Sequence, residues 1–428
     1  DLTVDGTGHR AAAVRMPRPD VVEAAGFRSG FWGTVAIPAR AAGETVVLGA
    51  SVRLADGALE HVDLGRVAVG AAAPVTPPRP GLIAVCMATF EPEPALFATQ
   101  IESLRRQTDT EWVCVLSDDC SGPEHVAAIE RVLDGDPRFV LARGDRRLGF
   151  YRNFERAIGL APPEAELIAL CDQDDRWQPD KLAVLRDALG GAGLVFSDQR
   201  LVDAGGQVLR STMWEGRRNN HSDLASLLVA NSVTGAATLF RREIARLALP
   251  FPDSPGLQFH DHWIGLVALA AGDVAYVDRP LYDYVQHPGA VFGEVSSQRP
   301  ARVRSLLRGG RGAYFLGYVP RVVQAEALVA RCGERLTPGK RRALTRFVDA
   351  ERRPGAFAWL ALRSLRALTG RNETLGSEAE LARGVAWRHV VAVLAALGER
   401  AGRRLGDTRF PEPLAFEQRR LRRWRARL

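Results

Sequence analysis

Three carboxylates fall within four residues at Asp172, Asp174 and Asp175, in the stretch ELIALCDQDDRWQPDK that runs from Glu166 to Lys181. Like charges this close repel one another unless a cation or a basic partner neutralises them. Oxygen donors with no Cys or His among them suit a hard ion, Mg2+ or Mn2+, of the kind that bridges to a substrate phosphate. A solvated acidic turn is the alternative for an isolated D-x-D.

The elements around the cluster decide between these readings. Leu167 to Cys171 is a short apolar run that reads as a buried strand. A turn follows the carboxylates, with Pro179 expected in the first turn of a helix that begins near Asp180. Upstream, LIAVCMA, EWVCVLSDDCSG and FVLARGD are three further strands. A helix with its apolar spacing over Phe97 to Arg106 lies between the first two, and LGFYRNFERAIGLA opens another after Gly149. This alternation predicts an α/β protein with a mostly parallel, doubly wound sheet. Its carboxylates gather at the C-terminal strand ends, where such sheets bind ligands.

At 428 residues, with 46% hydrophobic and 25% charged residues, the chain is an ordinary globular protein of about three domains. Residues 1–75 read as a small β-sandwich-like accessory domain: FWGTVAIPA, ETVVLGASVRL and HVDLGRVAV are short, β-branched and separated by turns such as Asp56-Gly57. PVTPPRPG, from Pro74 to Gly81, is a linker. Residues 81–296 form the α/β domain and 297–428 a basic helical region. Of the five cysteines, Cys86, Cys114 and Cys171 lie in apolar runs, which predicts buried free thiols in a reducing compartment. No signal peptide is visible and no apolar run reaches the length of a membrane span. The chain begins at Asp1, which leaves room for a removed leading segment.

The motifs MATFEP, LSDDCSG, LGFYRNFERA and DQDDRWQPDK, in that order, resemble the nucleotide-sugar domain of the GT-A-fold family 2 glycosyltransferases. NSVTGAATLFRRE and HDHWIGLVALAAG…YVDRPLYDYVQHPGAVFG resemble the rhamnosyltransferase-like branch of that family. The match covers about residues 81 to 293. The family's Tyr-Asn pair after the first strand is Phe90-Glu91 here.

The resemblance implies roles residue by residue. Asp174 is a direct metal ligand, and Asp172 contacts the donor ribose or the ion. Asp119 accepts a hydrogen bond from the pyrimidine N–H, or forms an Asx turn. The backbone at Thr89 lines the base pocket. Asp261 in FHDHWIGL is the general base, or a helix N-cap, and the two roles are compatible. His287 is a third metal ligand, a phosphate contact, or one of eight ordinary histidines. Trp177 and Trp263 stack on sugar faces or pack in the core. His262 is a further candidate contact, and Asp198 touches the acceptor or turns the chain.

The expected activity is therefore a metal-dependent inverting transfer of a sugar from a nucleoside diphosphate to a glycan or lipid-linked glycan in cell-surface polysaccharide synthesis. dTDP-rhamnose is the first choice of donor; a UDP-hexose or UDP-galactofuranose is the alternative. From Ser297 onward there are 29 Lys+Arg against 11 Asp+Glu, and the remaining residues carry 28 against 39. That asymmetry, with the basic segment EQRRLRRWRARL, is either an anchor on the anionic inner face of the plasma membrane or a solvated Arg-rich tail. The arginines are scattered and no nucleic-acid-binding motif is present, so a nucleic-acid partner is not expected. A glycoside hydrolase has no need of the DQDD cluster, and a catalytically inactive binding scaffold has no need of intact carboxylates.

Overall fold

The structure is a computed structural model that describes residues 1–9, 13–16, 30–32, 35, 37, 40–53, 57–70, 76–253, 258–287, 310–369 and 373–390. Six short strands open the chain: β1 (Leu2–Val4), β2 (Thr7–His9), β3 (Ala13–Met16), β4 (Gly30–Trp32), β5 (Thr45–Arg53) and β6 (Leu59–Ala68). Four of them form an antiparallel sheet in the order β2-β1-β5-β6, and β3 pairs with β4. The edge strand β6 is exposed along its whole length.

The central sheet comes from β7 (Arg79–Thr89), β8 (Trp112–Asp118), β9 (Phe139–Arg143), β10 (Ala165–Cys171), β11 (Arg176–Trp177), β12 (Leu194–Asp203), β13 (Val208–Arg210), β14 (Thr238–Arg241) and β15 (Val274–Gln286). Its order is β11-β15-β12-β14-β10-β7-β8-β9, with β13 on β12. Strands β7 to β10 pair in parallel, as do β12 and β15; β14 is inverted between β10 and β12. The expected mostly parallel α/β sheet is therefore present, with one inverted strand at its centre. Leu82 to Met87 of β7 are all buried, which is why the run reads as unbroken apolar sequence. Cys86, Cys114 and Cys171 are buried free thiols, as expected.

Helices α1 (Pro94–Arg105), α2 (Pro123–Leu133), α3 (Phe150–Gly159) and α4 (Lys181–Leu189) connect these strands. Helix α1 starts earlier than its apolar spacing indicates, because Pro94 stands in its first turn and the Glu93 carboxylate caps the amides of Ala95 and Leu96. Helix α4 corrects another expectation. Asp180 is its N-cap, and Pro179 precedes the helix instead of standing in its first turn. The intervening residues Arg176-Trp177 pair with β15, so the presumed turn contains a short strand.

Helices α5 (Leu224–Val229), α6 (Arg242–Ala248) and α7 (His260–Ala271) follow, then α8 (Val319–Cys332), α9 (Pro338–Asp349), α10 (Pro354–Arg363) and a helix over 377–390. The helices beyond residue 310 share one hydrophobic core with the sheet: Tyr318, Leu328, Phe347, Leu360 and Val385 belong to it. No described helix is long and apolar enough to cross a membrane.

Candidate active site

Strand direction gathers the chemistry. Thr89 ends β7, Asp119 follows β8, and Asp172 follows β10, so all three stand at one edge of the sheet. The inversion of β14 brings the turn Gly235–Ala237, which precedes it, to the same edge. A cavity of about 370 Å³ opens there, and its wall includes Asp172, Asp174, Asp198, Asn231 and Asp261.

Of the acidic floor, Asp175 is buried, and Asp172 and Asp174 are half-buried at the cavity wall. Burial first, then the charges of Asp174 and Asp261, push the Asp172 carboxyl up to about 7. Asp175 is 1% exposed, and burial pushes its carboxyl well up too. One of its oxygens has no partner; the other accepts from the Val285 amide at 3.3 Å. His287 Nε2 lies 2.9 Å from Asp174 Oδ2. Beneath them Lys181 is fully buried, with its ammonium donating to the Ala236 carbonyl and standing 3.3 Å from the centre of the Trp177 ring.

This set fits a divalent cation in part. Buried carboxylates that hold protons near neutrality are groups whose charge a cation would stabilise, and the donors are hard oxygens with one imidazole. Among the described residues no three His, Cys, Asp or Glu side chains converge as a complete ligand set. Any ion here takes its remaining ligands from substrate or water, as Mg2+ commonly does.

Asp261 is the second residue of α7, and Phe259 is the N-cap, so the N-cap alternative does not hold. Its Oδ1 accepts from the Asn231 side-chain amide at 3.0 Å and from the His262 backbone at 2.6 Å; Oδ2 accepts from the Gly235 backbone at 3.1 Å. Burial raises its pKa to about 6 against the pull of these hydrogen bonds. Gly235 is needed for this approach: a Cβ there would stand 2.6 Å from His260 Nε2.

The other end of the edge is built differently. Asp119 is buried, and its two carboxylate oxygens receive the amides of Leu148 at 2.6 Å and Gly149 at 2.8 Å. The Asx-like turn belongs to its neighbour Asp118, which accepts from the Ser121 amide at 2.9 Å. The Thr89 carbonyl accepts the Asp119 amide at 2.8 Å. Phe90 and Gln173 exchange hydrogen bonds, side-chain amide to backbone in both directions, which ties the loop after β7 to the acidic floor. Neither Thr89 nor Asp119 borders the cavity.

Three expected contacts are not in the site. Trp263 is fully buried with its indole N–H on the Ala248 carbonyl; the His262 ring bonds the Leu227 carbonyl; and Trp177 is covered by Lys181. All three are core residues. Asp198 does border the cavity, yet its carboxylate is taken up by the amides of Gln199 and Met213 and the Thr212 hydroxyl, so it also shapes the chain locally. The sequence reading missed Asn231, His260, Trp214 and Arg217, which all line the cavity. Asn231 opens the motif NSVTGAATLFRRE, whose polar first residue was the available signal; the loop carrying Trp214 and Arg217 has no periodicity to read.

Residues 84–247 match the model of Glycosyl transferase family 2. The uncharacterized protein y4gI of Sinorhizobium fredii (strain NBRC 101917 / NGR234) is 32% identical over 129 residues, 29% of this chain and 14% of that protein. The chain thus spans a small part of that relative's length. Among solved structures, S. aureus TarS 1–349 in complex with UDP-GlcNAc overlays with a TM-score of 0.43 at 15% identity, covering 72% of this chain and 92% of that one. The mannosyltransferase PcManGT from Pyrobaculum calidifontis, in complex with GDP-Man and Mn2+, gives 0.38 at 19% identity, covering 73% and 88%.

Proposed function

Residues 84–247 form a Glycosyl transferase family 2 domain, and from that premise we propose that the chain is a metal-dependent inverting glycosyltransferase. It moves a sugar from a nucleoside diphosphate to a hydroxyl of a glycan or lipid-linked glycan. The observation that carries this reading is the convergence of Asp172, Asp174 and Asp261 on the wall of one cavity.

Asp261 is the base. It accepts the proton of the acceptor hydroxyl while that oxygen forms its bond to the anomeric carbon and the carbon–oxygen bond to the diphosphate breaks. The bonding electron pair leaves with the diphosphate. Asp172, Asp174 and His287 would each contribute to holding Mg2+ or Mn2+ only together with substrate or water oxygens, and the ion when bound supplies Lewis-acid neutralisation of the departing diphosphate. Thr89 and Asp119 belong to the donor end. Each Asp119 oxygen keeps acceptor capacity beyond its one backbone amide, which leaves room for a base N–H.

The first choice of donor is dTDP-rhamnose, on the motifs DQDD-W and HDHW…QHPG; a UDP-hexose or UDP-galactofuranose is the second. Residues 1–75 are an accessory domain in this reading, 81–296 the transferase and 297–428 a basic region that seats the enzyme on the anionic inner face of the membrane. The deciding assay follows nucleoside diphosphate release from a panel of donors with Mn2+, Mg2+ or EDTA and a mixed glycan acceptor. Release from one donor that EDTA stops is the expected result. Nucleotide binding without turnover of any donor would leave a binding scaffold in its place.

A further inference from the structure

Arg217 is a cation that its surroundings do not balance. It borders the cavity, and its guanidinium donates only to neutral groups. Nη2 bonds the Asn231 carbonyl at 2.6 Å and the Ser232 hydroxyl at 3.2 Å, and Nε and Nη2 share the Glu373 carbonyl at 3.3 Å. Nη1 has no hydrogen bond among the described residues, and no described carboxylate forms an ion pair with Arg217. Burial without a counter-charge lowers its pKa to about 10. A desolvated guanidinium of this kind lacks an anion, and its planar fork matches carboxylate and phosphate oxygens.

Two neighbouring walls of the cavity complete the picture. Trp214 lies beside Arg217, the guanidinium 5.6 Å from its ring centre, and its indole is turned toward Tyr276. His260 is 7% exposed, stacks on Phe154 at 3.7 Å, and has both ring nitrogens unpartnered. Aromatic walls, one with idle ring nitrogens, suit a sugar ring; an arginine on the wall of the same cavity suits a charge on that ring. Asn231 bonds Arg217 through its carbonyl and Asp261 through its side chain, so Arg217 is one residue removed from the proton acceptor.

We propose that Arg217, Trp214 and His260 form a subsite for an acceptor sugar that carries an anionic substituent, a phosphate or a carboxylate. The proposal rests on the glycosyl-transfer reading of the same cavity. Asn231 links Arg217 to Asp261, which puts the anion site on the acceptor side of the same cavity.

The test titrates the full chain with methyl glucoside, methyl glucuronide and glucose 6-phosphate, with and without UDP or dTDP plus Mn2+. Filling the nucleotide site first removes the diphosphate subsite as a source of anion binding. The unmodified chain should bind one charged probe about tenfold more tightly than the neutral one, and inorganic phosphate should compete. The carboxylate and phosphate arms tell which substituent is preferred. Arg217→Gln should bring charged and neutral probes to within about twofold of each other, while Arg217→Lys keeps most of the preference. Equal binding of all three probes by the unmodified chain, or no binding of either charged probe, overturns the proposal. So does a preference that survives in a folded R217Q. The unmodified chain decides the matter alone if R217Q does not fold. Loss of nucleotide binding with an intact charge preference would sink the transferase reading and leave the anion site standing.

Discussion

At the scale of single residues the site turns on how burial and hydrogen bonds oppose each other at Asp261. A carboxylate that takes the acceptor's proton, the role proposed for Asp261, must be unprotonated, and the pKa of Asp261 is raised to about 6, so kcat/KM should rise with pH up to about 6 and then level off. Asp261→Asn should cost about 10²- to 10⁴-fold in turnover and leave nucleotide binding nearly intact; undiminished turnover would exclude it as the base. Asn231 supplies a hydrogen bond that lowers this pKa. Asn231→Ala should therefore move the rise of the pH profile to higher pH, a shift that general loss of packing would not produce. The acidic floor gives a second pH dependence. With Asp172 near 7, a cation must displace a proton below that pH. Stabilisation by Mn2+ in thermal melts should thus be larger at pH 8 than at pH 6; a shift independent of pH would remove Asp172 from the ligand set. Asp172, Asp174 and Asp261 were legible because a carboxylate at a strand end or helix start has few other uses. Trp177 and Trp263 misled because an aromatic residue satisfies a core as readily as a sugar face. Arg217 was invisible because its acceptor at residue 373 is 156 positions away.

At the scale of elements, the parallel strands could be read from their unbroken apolar runs, whereas β14 could not. Four residues inverted between two long strands leave no period to detect. Yet that inversion carries Gly235 to Asp261. Helix α5 depends on distant residues in another way. Asp223 caps it through the amides of Ala225 and Ser226 at 3.0 and 3.2 Å, and Arg363 and Arg366 reach the Ser226 hydroxyl at 2.7 and 3.0 Å. Since α5 leads directly into Asn231, this clasp holds the segment that hydrogen-bonds Asp261. Replacing Arg363 with Ala should lower unfolding free energy by about 1–3 kcal/mol in urea titrations and reduce turnover as well. An unchanged urea midpoint would mean that the clasp is idle.

At the scale of the whole molecule, the charge asymmetry acquires a second meaning. The excess of 29 basic over 11 acidic residues after residue 296 reads as a field directed outward. In the described part of that region several of the cations instead turn inward. Arg331 bonds the Ala248 carbonyl at 2.7 Å, Lys340 the Gly272 carbonyl at 2.7 Å, and Arg321 the Val229 carbonyl at 3.5 Å. They complete the carbonyl ends of α6, α7 and α5. The segment expected to meet a membrane, EQRRLRRWRARL, lies outside the described residues. Removing residues 411–428 should weaken sedimentation with anionic vesicles and leave the melting temperature nearly unchanged; equal sedimentation with and without the segment would retire the anchor.

The bond from Arg217 to the Glu373 carbonyl also has a consequence in time. Every carboxylate of the site is encoded before residue 262, so synthesis as far as residue 300 has delivered all of the chemistry. It has not delivered the acceptor that Arg217 needs, nor the two arginines that clasp α5. A nascent chain therefore carries its reactive groups for more than a hundred codons before they are locked in register.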